Sequence, residues 1–285
     1  MLSSATIRPI HPGDKTAINQ LLDYKDRIHR HLDWRSPNDL WDETPFLVLE
    51  YDFTIQAALA CPVDPVDVSW VRFFGAMPGM PVEETWHLML QQAMAAFEKK
   101  PQTLVSVALQ AWYLHLLYES GFKLNQMIVV LYLNTPAIVP AAGNDALIIT
   151  PMKEEEMDEV VRIDNLAFQS IWRNSYKDLY SAYQNATYAT VARLDGEMVG
   201  YQISSGSALN AHLARLAVLP ELQGRQIGTT LTYDMIRFFN HKGVSYITVN
   251  TQNDNKASLR LYQKLGFRLT GEKFPVMTYE GNGLR

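Results

Sequence analysis

Cysteine is almost missing from this chain: Cys61 is the only one in 285 residues, so no intramolecular disulfide can form. The simplest setting is a reducing cytoplasm. Nothing beside Cys61 in the sequence would activate a thiolate, and it reads as a buried structural thiol. Long apolar runs are missing too. Stretches such as Met127–Leu133 are far shorter than the ~20 residues of a membrane span. The opening residues, MLSSATIRPIHPGD, lack the apolar core of a secretion signal. The expectation is therefore no membrane association. Positive charge is scarce, with 25 Lys and Arg against 30 Asp and Glu, a net −5. A general nucleic-acid binder needs clustered Lys and Arg, so the balance argues against that class while leaving room for a local basic patch that meets one anionic ligand. The histidines are scattered without ligand spacing, so no metal site is expected. What remains is an ordinary globular composition, 47% apolar and 19% charged, and a length that accommodates two domains.

The chain partly repeats itself. Ile7-Arg8-Pro9 opens the first half much as Ile149-Thr150-Pro151 opens the second, and Gly121-Phe122 matches Gly266-Phe267. Between them Asn134–Asp145 (NTPAIVPAAGND) is rich in Pro, Gly and Ala without apolar periodicity, and reads as a linker. The boundaries expected are a domain over 1–133, the linker over 134–145, and a second domain over 146–285.

The second half alternates strand and helix signals. Lys153–Phe168 has helical apolar spacing after an acidic first turn. Tyr188–Leu194 and Met198–Ser204 read as strands joined at Asp195-Gly196, with a third strand at Leu213–Leu219. Gly228–His241 is a helix closed by Gly243, Tyr246–Thr251 a buried strand, and Lys256–Leu265 a helix ending at Gly266. Phe267–Thr270 and Phe274–Tyr279 read as final strands.

A strand, then Gln223-Gly224-Arg225-Gln226-Ile227-Gly228-Thr229, then a helix, suits a phosphate. The first turn of a helix has unpaired N–H groups and a favourable dipole, and glycine lets the backbone come close. The same pattern also describes an ordinary strand–helix turn.

This loop resembles the coenzyme-A loop of the GCN5-related N-acetyltransferase (GNAT) superfamily, Gln/Arg-x-x-Gly-x-Gly/Ala. Leu216-Ala217-Val218…Pro220 resembles that family's fourth strand, and Asn255-Lys256-Ala257-Ser258-Leu259-Arg260-Leu261-Tyr262-Gln263-Lys264-Leu265-Gly266-Phe267 its later motif. The resemblance covers essentially all of the second half. It implies an α/β protein of two tandem GNAT-like domains, each a mixed, mostly antiparallel central sheet flanked by helices. It further implies transfer of acetyl from acetyl-CoA, without a metal, to a primary amine on a small molecule or peptide, by direct attack. A monomer or homodimer would serve. Two other readings stay open: a CoA-binding sensor or partner module without turnover, and an acyltransferase for a longer acyl group.

The resemblance assigns roles to single residues. Backbone N–H groups of Leu216, Ala217 and Val218 would meet the thioester carbonyl and the pantetheine arm. Gln223, Gly224, Arg225, Gln226, Ile227, Gly228 and Thr229 would hold the pyrophosphate. Tyr262 matches the general acid, for a phenol of pKa near ~10 is protonated at neutral pH. Asn255 would touch the coenzyme, or cap the helix at Lys256. Some relatives carry a Glu base at the position that is Asn250 here, which cannot take a proton. His212, early on the fourth strand, is the candidate base, with a strand-end histidine as the alternative. The family usually has Gly at Gln226; if that residue needs a positive φ, Gln is disfavoured there by roughly 1–2 kcal/mol.

The first half departs from the pattern. Opposite Gln223–Gly228 it has Pro78-Gly79-Met80-Pro81-Val82-Glu83, where Pro81 has no N–H and Glu83 is an anion. Leu117 stands opposite Tyr262, with Tyr118 one place off, and Asp67 opposite His212. A degenerate, non-catalytic copy is expected. Trp34, Trp41, Trp112 and Trp172 read as core packing or as walls of a cleft.

Overall fold

The computed structural model describes residues 5–24, 26–31, 34–65, 67–97, 103–135 and 143–280. Most of the expected linker, 136–142, lies outside them. The chain forms two compact units, Met1–Asn125 with Phe274–Arg285, and Gln126–Lys273. We call these unit 1 and unit 2. Each is of the expected class, antiparallel-dominated sheet with flanking helices.

Unit 1 runs β1 (Thr6–Pro9), α1 (Lys15–Asp23), β2 (Ile28–Arg30), β3 (Phe46–Tyr51), β4 (Thr54–Ala60), β5 (Val68–Trp70), β6 (Phe73–Ala76), α2 (Val82–Ala96), β7 (Thr103–Val107) and α3 (Ala111–Glu119). One sheet has the order β1-β3-β4-β6-β2. Beside it β5 runs parallel to β7. The next strand of the chain is β8 (Lys123–Asn134), whose residues from Gln126 onward belong to unit 2.

Unit 2 continues with β9 (Ile148–Pro151), α4 (Met157–Ala167), α5 (Tyr176–Gln184), β10 (Tyr188–Leu194), β11 (Glu197–Gly206), β12 (Asn210–Val218), α6 (Ile227–His241), β13 (Tyr246–Gln252), α7 (Lys256–Lys264) and β14 (Arg268–Glu280). The order from one edge is β9-β10-β11-β12-β13-β8. All pairs are antiparallel except β12 with β13. From Phe274 onward β14 belongs to unit 1, where Val276–Glu280 pair with Val107–Thr103. Each unit's sheet thus includes a strand from the other half of the sequence.

Local rules account for the elements. In α4 the buried Met157, Val160, Ile163 and Asp164 fall on one face. Asp195 and Gly196, both at positive φ (52° and 89°), make the tight turn between β10 and β11. In α6, Ile227, Leu231, Met235, Ile236 and Phe239 are buried against the sheet. Each such side chain removed from water stabilises by about 1.5–3 kcal/mol. The two strands expected at Phe267–Thr270 and Phe274–Tyr279 are one, with Gly271 at φ 94° inside it.

Candidate active site

The site grows from a disagreement between neighbouring strands. β12 pairs with β13 only over Asn210–Leu213, matched to Tyr246–Val249. A bulge at Ala214 follows, where Ser204 pairs with Leu213 but Ile203 with Arg215. A bulge sharpens local twist. Beyond it β12 stays with β11 through Val218, while β13 stays with β8 through Gln252. A notch opens between them.

The antiparallel ladder fixes which amides face this notch. Leu219 N–H donates to the Val199 carbonyl at 3.0 Å, so 219, 217 and 215 are the residues bonded to β11. The N–H groups of Leu216 and Val218 therefore point into the notch, and that of Ala217 does not. Sequence reasoning named all three residues.

Beside the notch begins α6. Gly224 and Gln226 both have positive φ, 81° and 63°. Thr230 is the first to donate back, through its N–H to the Gln226 carbonyl at 2.9 Å. None of the N–H groups from Gly224 to Thr229 donates to a backbone carbonyl among the described residues. Six undonated N–H groups and the positive end of a helix dipole lie together in this turn, a setting that suits an anion. Arg225 is exposed there, Ile227 anchors the turn in the core, and Thr229 is buried. The Gln223 side chain donates to the Val218 carbonyl at 3.3 Å, tying loop to strand. Gly228 plays another part: a Cβ there would stand 3.0 Å from Leu261 Cδ1, so its smallness lets α6 and α7 close together.

Tyr262 is buried on α7, packed with Ala211, Leu213 and Met235. Its ring lies 5.7 Å from that of Phe267. Its hydroxyl has no hydrogen-bond partner among the described residues, yet it is not one of the fully enclosed unpaired atoms, so the oxygen keeps an opening. Burial raises its pKa above the ordinary phenol value. Asn255 takes the capping role: its Oδ1 accepts from Ser258 N–H at 3.1 Å, and its Nδ2 donates to Gln252 Oε1 at 3.4 Å.

His212 lies one residue before the notch. Ala211 and Leu213 pack on the α6–α7 side, so strand alternation places His212 on the opposite face from Tyr262. Its Nδ1 is 2.8 Å from Thr248 Oγ1, and that hydroxyl donates weakly to the Ala211 carbonyl at 3.4 Å. Thr248 then accepts from Nδ1–H, leaving Nε2 with the lone pair. Burial lowers the imidazole pKa.

One group of residues escaped the sequence reading. Asp164 of α4 is fully buried. Arg215, the first residue of β12 after its bulge, donates to it from Nε at 2.7 Å and Nη2 at 2.9 Å. Tyr201 donates its hydroxyl at 2.6 Å, and Asn174 its N–H at 3.0 Å. Arg215 also donates to the Trp172 carbonyl at 2.6 Å and lies 3.6 Å over the Phe168 ring. The Trp172 indole donates to Gln126, which donates to Asp254. The segment between α4 and α5 is thereby fastened to Asp164, to Arg215 of β12 and to Gln126 of β8.

Among the described residues no group of three or more His, Cys, Asp or Glu could hold a metal ion. No described helix is long and apolar enough to cross a membrane. Cys61 is buried, which pushes its thiol up to about 12.

Comparison with known proteins identifies the family and the fold. The Acetyltransferase (GNAT) family profile matches residues 157–267. An uncharacterized N-acetyltransferase of Methanocaldococcus jannaschii is 32% identical over 124 residues, covering 43% of this chain and 78% of that protein. N-alpha-acetyltransferase 30 of Schizosaccharomyces pombe is 27% identical over 99 residues, 33% of this chain and 66% of that one. Among solved structures, a tandem GNAT protein from the clavulanic acid biosynthesis pathway has a TM-score of 0.66 at 16% identity, covering 99% of this chain and all of that one. A GCN5-related N-acetyltransferase from Sphaerobacter thermophilus has a TM-score of 0.60 at 16% identity, covering 97% and 96%. At that identity the structures speak to the fold, and the M. jannaschii relative to the family. The chain belongs to the GNAT family and is an N-acetyltransferase of tandem-domain architecture.

Proposed function

We infer that unit 2 transfers acetyl from acetyl-CoA to a primary amine, of a small molecule or a peptide, by direct attack. The observation that carries this reading is the notch between β12 and β13 lying beside the run of undonated N–H groups from Gly224 to Thr229. The pyrophosphate meets those donors, and the pantetheine arm follows β12 into the notch. Gln226 and Gly224 turn the backbone so that successive N–H groups face one anion.

The chemistry follows from the positions. The thioester carbonyl takes an N–H from Leu216 or Val218, which stabilises charge as it develops on oxygen. The amine arrives on the His212 face. Nε2 of His212, directly or through water, takes its proton. The C–N bond forms and the C–S bond breaks, so the thiolate leaves on the Tyr262 side, where the phenol protonates it. Acid and base on opposite faces of one sheet avoid neutralising each other. The unpartnered Tyr262 hydroxyl favours turnover over simple coenzyme binding. The name of the S. pombe relative keeps a peptide α-amine within the class of acceptors.

A panel of primary amines with acetyl-CoA, followed by release of free thiol, tests the reading. Amine-dependent thiol release supports it. Coenzyme binding with no release on any amine would overturn it.

A further inference from the structure

Unit 1 carries the same notch in its backbone, with something in it. β5 runs parallel to β7 only over Val68–Trp70, as the first part of β12 does with β13. After Val71 and Arg72 the chain continues as β6, which pairs with β4 as the last part of β12 pairs with β11. The correspondence can be set residue by residue. Phe74 faces α2 as Leu216 faces α6, and Phe73 packs on Ile18 and Leu21 of α1 where Arg215 meets Asp164 of α4. Strand alternation puts Ala76 where Val218 stands, two residues further along the same face.

In unit 1 the two corresponding amides are taken. β2 pairs with the free edge of β6, Ile28 with Gly75, His29 with Phe74 and Arg30 with Phe73. Ala76 N–H donates to the Arg27 carbonyl at 3.3 Å, and His31 N–H to the Arg72 carbonyl at 2.9 Å. These bonds set the alternation of the ladder, so Phe74 N–H faces the His29 carbonyl. Side chains fill what the backbone leaves. The ring of His29 stacks on Tyr113 of α3 at 3.9 Å, and the Tyr113 hydroxyl bonds Ser106 of β7 at 2.8 Å. His29 Nε2 donates to the Val71 carbonyl at 3.1 Å. All of these side chains are buried.

The segment that fills the notch follows α1. Its counterpart in unit 2 follows α4, and there it is held away: Asn174 N–H is bonded to Asp164, and the Trp172 carbonyl to Arg215. Where Arg215 stands, unit 1 has the apolar Phe73, in one cluster with Ile28 of β2. An ion pair fastens the segment in one unit; an apolar contact draws it in in the other.

We propose that β2 is a built-in occupant of the coenzyme slot of unit 1, and that the Asp164–Arg215 pair keeps the same slot of unit 2 open. This rests on the coenzyme reading given above for unit 2. The chain then binds one coenzyme, and Arg215 is a positioning residue that never touches it.

The test is calorimetric titration of the full chain with CoA. One site per chain is expected. Gly224→Asp, at a position where an added Cβ meets nothing within 4 Å although the φ of 81° disfavours any side chain, puts a carboxylate on the unit 2 loop and should weaken binding at least tenfold. Arg215→Ala alone would strand a buried carboxylate and risk unfolding. The triple variant Asp164→Leu/Tyr201→Phe/Arg215→Phe leaves no unpaired charge. It should keep the far-ultraviolet spectrum and lose at least tenfold in CoA affinity. Faster amide exchange over residues 168–175 should accompany that loss without any ligand. Two sites per chain would overturn the proposal and leave the coenzyme reading standing, whereas binding untouched by Gly224→Asp would overturn both. A folded triple variant with wild-type affinity would overturn the role of Arg215. No CoA binding by the wild-type chain would sink the coenzyme reading and this inference with it.

Discussion

Thr230 gives the Gln226 carbonyl two hydrogen bonds, from its N–H at 2.9 Å and its hydroxyl at 3.0 Å. That doubled grip holds the first turn of α6 although Gln226 sits in the left-handed region at φ 63°. A side chain at such a φ is disfavoured by roughly 1–2 kcal/mol, which glycine would not incur. Since the bonds use only backbone atoms of residue 226, Gln226→Gly retains them. The variant should be more stable by about 1 kcal/mol, and should bind acetyl-CoA at least as tightly. Urea unfolding and a coenzyme titration check both, and a large loss of affinity would show that the Gln side chain itself meets the ligand.

The loop was legible in the sequence because its determinants are local. Two glycines, an N-terminal turn and the later Asn255–Phe267 motif all act within a few residues. The Asp164–Arg215 pair was not legible. Arg215 stands in LARLAVL, where an alternating strand also fits a solvated charge, and its partner is on an element far off in the chain. Strand β2 is three residues long, too short for any period. Gly271 made one long strand look like two, because a positive φ inside a strand carries the same sequence signature as a turn between strands. Helix α5 hides among polar residues and shows only its Ser175 cap, which accepts from Asp178 N–H.

Tyr262 offers a clean separation of chemistry from stability. Its hydroxyl has no hydrogen-bond partner among the described residues, so Tyr262→Phe removes an acid without breaking a bond. Turnover should fall by roughly 10²–10⁴, with the melting temperature unchanged within a degree or two. Because burial raises the phenol pKa, the group stays protonated through neutral and mildly basic pH. Its loss should therefore lower the whole profile rather than shift a limb. Unchanged turnover in a chemistry-limited assay would remove Tyr262 from the mechanism.

His212 should set the acidic limb. Burial disfavours the imidazolium, so the folded pKa lies below the ordinary 6.5. At neutral pH the ring is neutral and able to accept a proton. Activity should then fall as pH drops through a midpoint under 6.5, and His212→Asn should flatten that fall while lowering the plateau. An acidic limb that survives in His212→Asn would assign the base elsewhere.

His29 should make unit 1 sensitive to acid. Burial drives its pKa down to about 3 from 6.5. The unfolded chain takes up a proton below 6.5, whereas the folded chain stays neutral until about 3. The unfolded state binds more protons across that window, so stability is lost as pH falls through it, at about 1.4 kcal/mol per pH unit. From pH 6.5 to 4.5 the loss from this one group is about 2–3 kcal/mol. Trp34, Trp41, Trp70, Trp86 and Trp112 lie in unit 1 and Trp172 in unit 2, so tryptophan fluorescence during urea unfolding reports mainly on unit 1. His29→Gln keeps an N–H for the Val71 carbonyl but cannot titrate. Its urea midpoint should vary less between the two pH values than that of the wild-type chain. Equal losses in the two proteins would mean that other groups, such as the Asp14 carboxylate held low by Arg8, carry the acid sensitivity.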